Sequence, residues 1–293
     1  MRQQSRSTVR YIFKNFIFIL PLVFLSALLL ALFQPALGVV DFFESVFDLI
    51  SLNEKVVFEN FYDSIFKFFS IVNVGQEEVF GINVVWFWII TFVITLISFC
   101  LAVSFVERHI KYGTRSYNNV IRSINEMFLY IVPFVLLVIA FYEIWMLLLS
   151  GCIALFSVLF GGLTFYTLSV TLTVLFYIAF FIIFSLAIMT PPCMLFDGYK
   201  FSFALGYSFH LGSVHFKEMV ASILLNVFVA QALLSLFNLL ISYISQETIC
   251  NILYYFLRFL FYLWWLIYLP CLSCCKYVDF TETSRADLKL KLF

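Results

Sequence analysis

Six long stretches of almost unbroken apolar residues divide this chain, and shorter, more polar segments separate them. The stretches cover residues 15–33, 84–106, 127–149, 164–189, 219–243 and 253–269. Each is close to the roughly 20 residues that a helix needs to cross the hydrocarbon core of a bilayer. A helix is also the form in which such a segment satisfies its own backbone polar groups in lipid. The pattern therefore predicts an all-α, polytopic transmembrane bundle of six spans.

Composition supports one integral membrane domain that takes in the whole chain, residues 1–293. The chain is 64% hydrophobic and only 12% charged, whereas a soluble domain is nearer 25% charged. Its formal net charge is zero, so no basic field favours nucleic acid as a partner. We expect the lipid bilayer as the main partner. Other subunits of a membrane complex and the oligomeric state stay open.

One long segment, residues 34–83, lies outside the apolar stretches and carries eight acidic residues against two lysines. Its charged residues 55, 59, 63 and 67 recur at every fourth position, opposite an apolar series that includes Phe61 and Ile65. This spacing is typical of amphipathic helices. Their apolar faces would lie on the membrane surface or would cap the bundle. The segment is predicted to be an extracytoplasmic amphipathic insertion.

The distribution of basic residues predicts the orientation of the bundle. With the N-terminus inside, the inner segments hold 14 of the 17 lysines and arginines, as the positive-inside rule requires. We therefore expect a plasma (inner) membrane protein with both termini cytoplasmic. Small residues at 36–38 leave cleavage of the first stretch as a signal peptide open. Pro270 is expected to end the sixth span, which makes residues 271–293 a cytoplasmic tail. Residues 151–163 are an apolar connector or a re-entrant segment.

Two charged residues fall inside the apolar stretches, and a charge in the bilayer is by default a hypothesis of function. Glu143 and Arg258 lie at similar depth, about six residues from the outer ends of the third and sixth spans. Equal depth predicts an ion pair between helices. A substrate or proton site is the alternative, as is an unpaired arrangement in which Arg258 reaches the headgroups.

The fifth span carries a line of uncharged polar residues. Gln231, Ser235 and Asn238 follow one another at spacings of four and three, which puts them on one side of a helix. Amides and hydroxyls in lipid hydrogen-bond to neighbouring helices. The line therefore predicts polar contacts between helices, with a hydrated path as the alternative.

The weakly apolar segment 191–218 is predicted to be a cytoplasmic contact loop. Its candidate residues are Asp197, His210, His215 and Glu218. Two histidines five residues apart lie about 140° apart around a helix. A metal site needs three or four converging ligands, so this spacing predicts no metal site.

No catalytic motif is recognisable along the chain. We find no P-loop, no HExxH, no GxSxG and no GxGxxG at the start of a helix. Cys271, Cys274 and Cys275 are expected to be free cytoplasmic thiols, with acylation or metal binding as alternatives. We therefore assign no catalytic residue and no cofactor, and we expect the protein not to be an enzyme.

Three stretches carry a resemblance to a known family. They are residues 7–20 (STVRYIFKNFIFIL), residues 120–134 (VIRSINEMFLYIVPF), and the segment 191–218 with Phe203, Ala204, Leu205 and Ser208. Together they resemble six-helix bacterial membrane proteins related to the membrane domain beside glycerophosphodiester phosphodiesterases. The resemblance implies a six-helix fold and transfers no activity or catalytic residue.

These observations lead to two hypotheses of function. The first is a non-enzymatic multi-pass membrane protein that acts as a transport-associated or envelope-organising component. The alternative is a small-molecule or lipid permease, working alone or as the membrane subunit of a transporter. In the permease, Glu143, Gln231 and Asn238 would line a path and segment 191–218 would be the coupling surface. A cavity that reaches Glu143 would favour the permease, and a dry, tightly packed core would favour the first hypothesis.

Overall fold

The chain folds as a helical membrane bundle. A computed structural model of the protein describes residues 2–33, 39–52, 58–70, 78–79, 82–115, 117, 124–243 and 246–282. Six helices in these ranges are long and apolar enough to cross a membrane, which confirms the predicted all-α bundle and indicates a multi-pass membrane protein. The helices are α1 (Arg2–Phe33), α2 (Val39–Leu52), α3 (Phe58–Phe69), α4 (Val84–Tyr112), α5 (Ile124–Leu159), α6 (Gly162–Ala187), α7 (Thr190–Asp197), α8 (Phe201–Val214), α9 (Phe216–Ser242) and α10 (Glu247–Phe280). Strands β1 (Glu78–Val79) and β2 (Ile82–Asn83) form a short antiparallel ribbon before α4.

Helices α1, α4 and α10 pack against one another and form the main core. On α1 the fully buried residues Ile12, Ile19, Val23 and Ala27 recur at spacings of seven and four. This spacing places one stripe of α1 against its two neighbours. This packing joins α1, which begins near the N-terminus of the chain, to α4 and α10.

Helix α10 is longer than the sequence predicted. It passes through Pro270 and ends at Phe280, so the expectation that Pro270 ends this helix and begins a polar tail is wrong for residues 271–280. Residues 271–278 are all buried in the core. Proline at 270 removes the bond that a backbone N–H would donate to the Leu266 carbonyl oxygen, and a membrane helix tolerates such a loss where protein packs around it. The Ser273 hydroxyl donates to the Pro270 carbonyl oxygen at 3.0 Å within the continuing helix. The rest of the predicted tail, residues 283–293, lies outside the described residues.

Helix α5 is also longer than predicted. It spans 36 residues, or about 54 Å at 1.5 Å per residue, against roughly 30 Å for the hydrocarbon core of a bilayer. Gly151 lies within it, and only residues 160–161 separate it from α6. Residues 151–163 are therefore neither a connector nor a re-entrant segment. They are the end of α5 and the start of α6, which form a helical hairpin.

The amphipathic helices predicted in segment 34–83 cap the bundle. On α3 the buried residues Phe61, Ile65 and Phe69 recur at every fourth position. Asp63 and Lys67 pair on the opposite, exposed face. The apolar faces of α2 and α3 pack against the C-terminal half of α5 and the start of α6 in a second core. The charged positions at 55 and 59 lie outside the residues whose side chains are described.

Segment 191–218 consists of two helices that pack on the bundle. Ala204, Ser208 and Gly212 form a buried stripe of small residues on α8, which allows close approach to a neighbouring helix. The Ser208 hydroxyl donates to the Leu186 carbonyl oxygen, at the end of α6, at 2.7 Å. A Cβ at Gly212 would stand 3.0 Å from the Leu186 Cα. A side chain at this position would crowd the Leu186 backbone where α8 crosses α6.

Candidate functional site

A cavity of about 470 Å³ lies under α2 and α3 at the centre of the bundle, and we call it the axial cavity. All six long helices contribute to its wall, and the two capping helices contribute to its cover. Six spans can meet in this way only near the axis of the bundle, not on its lipid-facing surface. The lining residues are Leu30, Phe42, Phe68, Phe69, Ser70, Trp88, Thr91, Phe92, Thr95, Ile139, Tyr142, Tyr177, Gln231 and Tyr262.

Three buried polar atoms in this wall have no hydrogen-bond partner within the described part of the chain. They are Thr91 Oγ1 and Thr95 Oγ1 on α4, and Gln231 Oε1 on α9. An unsatisfied buried polar group costs about 1–3 kcal/mol, so native proteins usually supply a partner, water or ligand. The Gln231 oxygen can only accept a hydrogen bond, whereas a threonine hydroxyl can accept or donate. The cavity therefore suits water or a ligand that donates hydrogen bonds.

Two hydrogen bonds between the C-terminal end of α3 and α5 hold that end over the cavity. The Tyr142 hydroxyl donates to the Phe69 carbonyl oxygen at 2.9 Å and lies 3.3 Å from the Tyr177 hydroxyl. The Ser70 hydroxyl donates to Glu143 Oε2 at 2.8 Å. The cavity thus reaches the hydrogen-bond partner of Glu143, while the carboxylate itself stays behind Ser70. None of the described lining residues carries a charge.

The predicted ion pair between Glu143 and Arg258 is wrong. The Arg258 guanidinium lies 4.1 Å from the centre of the Tyr254 ring, a cation–π contact within its own helix. Among the described residues, three ion pairs join lysines to acids, and none of them involves either residue. Equal depth in the membrane says nothing about the direction in which a side chain points around its helix. The Glu143 and Arg258 side chains point in different directions, so the two charges do not meet.

Of the polar line on α9, Gln231 lines the axial cavity. It also lines a smaller one, of about 200 Å³, between α2, α6 and α9. Ser235 and Asn238 are half-buried one and two turns further along and are not among the lining residues of either cavity. The structure thus places one member of the predicted line at a candidate site.

Two acidic residues of the predicted contact loop contact the end of α10 in the same chain. Tyr277 donates a hydrogen bond from its hydroxyl to Asp197 Oδ2. The Lys276 ammonium lies 3.7 Å from Glu218 Oε2. Both partners come from the stretch after Pro270 that the sequence assigned to a tail. Asp197 and Glu218 therefore hold the fold together at this end.

The two histidines of the loop have different environments. The His215 ring stacks on the Phe280 ring with centres 3.9 Å apart, whereas His210 is exposed. Within the described ranges, no group of three or more histidine, cysteine or acidic side chains could hold a metal ion. His215 thus joins Asp197 and Glu218 in fastening α10.

Sequence reasoning missed most of the polar residues of the axial cavity. Thr91 and Thr95 are spaced by four on α4, and this spacing was the available signal for a polar face. Tyr142 and Tyr177 carried no such signal, because tyrosine is common in apolar stretches near interfaces. Their convergence depends on the packing of α5 against α6.

Comparison of the chain with family models, with curated proteins and with solved structures finds no match. The resemblance to the membrane domain beside glycerophosphodiester phosphodiesterases therefore stays a prediction. The geometry of the chain itself carries the functional argument.

The contact between Ser70 and Glu143 leads to a double-mutant prediction. We expect Ser70→Ala and Glu143→Leu each to lower the free energy of unfolding by about 1 kcal/mol, since each removes the same hydrogen bond. The double variant should lose about 1 kcal/mol less than the sum of the two. Denaturant unfolding in detergent measures all three. As the comparison, Glu143→Leu and Arg258→Gln should be additive within about 0.5 kcal/mol. Coupling between Glu143 and Arg258 but not between Glu143 and Ser70 would contradict the observed contacts.

Proposed function

We propose that this chain is a non-enzymatic membrane permease that binds a small, neutral, hydrogen-bond-donating solute in the axial cavity. One observation carries the proposal. Three residues that line a cavity built by all six spans each hold a buried polar atom with no hydrogen-bond partner among the described residues, and no described charge lines that cavity. This proposal combines the two hypotheses drawn from the sequence. It keeps the association with transport from the first and the permease from the alternative.

The size and walls of the cavity support a small organic ligand. Its volume of about 470 Å³ lies within the roughly 300–1,000 Å³ of small-molecule sites. Such sites combine apolar and aromatic walls with a few polar groups that orient the ligand. Here Phe69, Trp88 and Phe92 supply the walls, and Gln231 supplies an acceptor. A neutral molecule with hydroxyl or amide N–H groups matches this chemistry.

Packing on either side of the cavity supports one state of an alternating-access cycle. Ile19, Val103 and Ile267 are buried in the core formed by α1, α4 and α10, and none of them lines the cavity. The capping helices contribute Phe42, Phe68 and Phe69 to its lining. Transporters place their substrate near the middle of the membrane and open it to one side at a time. Movement of the end of α3 away from Tyr142 and Glu143 would open the axial cavity.

We place the protein in the bacterial plasma membrane with both termini in the cytoplasm. An even number of spans puts both termini on one side, and 14 of the 17 basic residues belong to the segments on that side. Under this orientation the cavity opens outward. Alkaline phosphatase fused to the C-terminus should be inactive, and green fluorescent protein fused there should fluoresce. The reverse pattern would overturn the orientation.

Thermal unfolding of the purified protein in detergent tests the binding site. The compounds would be neutral polyols, sugars, nucleosides and small amides, each with a charged analogue. We expect one neutral class to stabilise the protein, by about 2.7 kcal/mol at a hundred times its dissociation constant, and its charged analogue to have no effect. Gln231→Leu should abolish this stabilisation without lowering the stability of the ligand-free protein, because it removes an unsatisfied buried amide.

The matched control is Gln246→Leu, which makes the same chemical change at an exposed position before α10. It should leave the stabilisation unchanged. Uptake of the stabilising compound into proteoliposomes then separates a permease from a receptor. Stabilisation by charged analogues as well, or an equal response in Gln231→Leu, would refute binding in the axial cavity.

A further inference from the structure

A second cavity, of about 780 Å³, lies between α1 and α9 with α10 as its floor, and we call it the α1/α9 groove. It continues between α9 and α10 into a cavity of about 360 Å³. Asn226, Val229 and Trp264 line both. The two cavities therefore form one continuous groove, which is separate from the axial cavity.

The chemistry of the groove changes from one end to the other. At the N-terminal end Arg10 and Lys14 line it, and no described lining residue there is acidic. Thr8 lies beside them with 2% of its surface exposed, and its hydroxyl has no hydrogen-bond partner in the described part of the chain. At the far end the wall is apolar, with Leu233, Phe237 and other apolar side chains. A ligand that matches both ends has an anionic head and a hydrocarbon chain.

Hydrogen bonds between α9 and α10 hold the wall of the groove in place. The Trp264 indole N–H donates to Asn226 Oδ1 at 2.9 Å. One turn away, the Tyr268 hydroxyl donates to the Ser222 carbonyl oxygen at 2.9 Å. Binding to a preorganised site costs less conformational entropy than binding to a mobile one. The wall of the groove is therefore preorganised by contacts between helices.

The charged residues that line this end of the groove are basic. Glu218 lies one turn before Ser222, and its carboxylate lies 3.7 Å from the Lys276 ammonium. Arg10 and Lys14 line the groove and give this end positive charge. Charge of this sign attracts anionic lipid headgroups.

The length of the groove matches one leaflet of a bilayer. Along α9 it runs from Ser222 to Phe237, which is about 22 Å of helix at 1.5 Å per residue. Half of the hydrocarbon core is about 15 Å. The groove therefore covers the depth from a headgroup to the middle of the membrane.

We propose that the α1/α9 groove binds one anionic phospholipid from the leaflet on the side of the N-terminus of α1. The phosphate lies against Arg10 and Lys14, and the Thr8 hydroxyl donates to a headgroup oxygen. An acyl chain follows the apolar wall between α9 and α10. This site is independent of the axial cavity, so the two proposals stand or fall separately.

Native mass spectrometry of the purified chain tests the proposal. Phosphatidylglycerol and phosphatidylcholine with identical acyl chains are titrated into detergent, and the first bound lipid is counted. We expect the first phosphatidylglycerol to bind about twentyfold tighter in the native chain than in the double variant Arg10→Gln/Lys14→Gln, about fivefold for each base. Phosphatidylcholine binding should be the same in both.

The matched control is Lys200→Gln/Lys217→Gln, which removes the same charge from exposed residues outside the groove. It should leave phosphatidylglycerol binding within about twofold of the native value, because neither lysine lines the groove. An equal loss of phosphatidylglycerol binding in the control would show a general effect of charge and would refute the proposed site. Equal binding of the two lipids by the native chain would show annular contact only and would also overturn it.

A second pair of variants tests the acyl-chain part without changing charge. Val229 and Leu236 lie on α9 with similar exposure, 50% and 54%, but only Val229 lines the groove. Val229→Trp should fill the groove and weaken phosphatidylglycerol binding at least tenfold, about the loss expected from excluding two buried methylenes. Leu236→Trp should not weaken it.

Glycerol phosphate, which lacks the chain, should not compete with the lipid. Competition, or equal effects of the two tryptophans, would refute an acyl-chain site.

Discussion

Replacing Glu218 with alanine is expected to lower the free energy of unfolding by about 3 kcal/mol, because it leaves a buried ammonium without its carboxylate. Lys276 is only 2% exposed, and its Nζ lies 3.7 Å from Glu218 Oε2. The ring of Phe280 is the other neighbour, 5.5 Å away, and a cation–π contact replaces only part of an ion pair. Thermal or denaturant unfolding in detergent measures the loss.

Two further variants control this prediction. Lys276→Met removes the buried charge while keeping an unbranched apolar side chain, so Glu218→Gln/Lys276→Met should recover most of the loss. Asp63→Ala breaks the pair with Lys67, in which both side chains are more than half exposed, and exposed pairs contribute about 0–1 kcal/mol. If Glu218→Ala costs no more than Asp63→Ala, Lys276 is not buried and α10 does not continue past Pro270 as described.

Replacing Gly212 with valine is expected to lower the free energy of unfolding by about 3 kcal/mol, at the upper end of the cost of overpacking. A Cβ at this position would stand 3.0 Å from both the Cα and Cδ2 of Leu186, and 3.3 Å from its carbonyl oxygen. The Leu186 side chain can rotate, but its backbone cannot move without shifting the end of α6. Such a shift would also break the hydrogen bond from Ser208 to the Leu186 carbonyl oxygen.

Gly206→Val on the same helix is the matched control. No atom comes within 4 Å of a Cβ placed there, so only helix propensity changes, by about 0.5 kcal/mol in favour of valine. Unfolding of the two variants in the same detergent gives the comparison. Equal losses would mean that α8 does not cross α6 at Gly212.

The fold was predictable to the extent that it depends on local pattern. The spacing of Phe61 and Ile65 predicted the buried face of α3, because one side of a helix repeats every three to four residues. Prediction failed at Pro270, where local propensity ends a helix but packing around residues 271–278 continues it. In the membrane a helix break exposes unsatisfied backbone groups, so a bundle that buries the stretch keeps it helical.

Of the polar residues that line the axial cavity, only one could be predicted from the sequence. Gln231 stood out because an amide inside an apolar stretch must find a partner, but Thr91, Tyr142 and Tyr177 have ordinary roles in membrane helices. Their hydroxyls belong to one site only because α4, α5 and α6 turn these faces towards α9. The same holds for the α1/α9 groove, whose basic end and apolar wall come from opposite ends of the chain.

Hydrophobic length and the period of polar positions are local properties, so the sequence by itself determined the membrane class, the six long helices and the amphipathic character of α2 and α3. The rotation of each helix about its axis and the choice of its neighbours depend on the packing of all helices at once. For this reason only the tertiary structure decided that Glu143 contacts Ser70 and not Arg258. It also decided that Asp197 and Glu218 fasten α10, and that unpartnered polar atoms converge on one cavity.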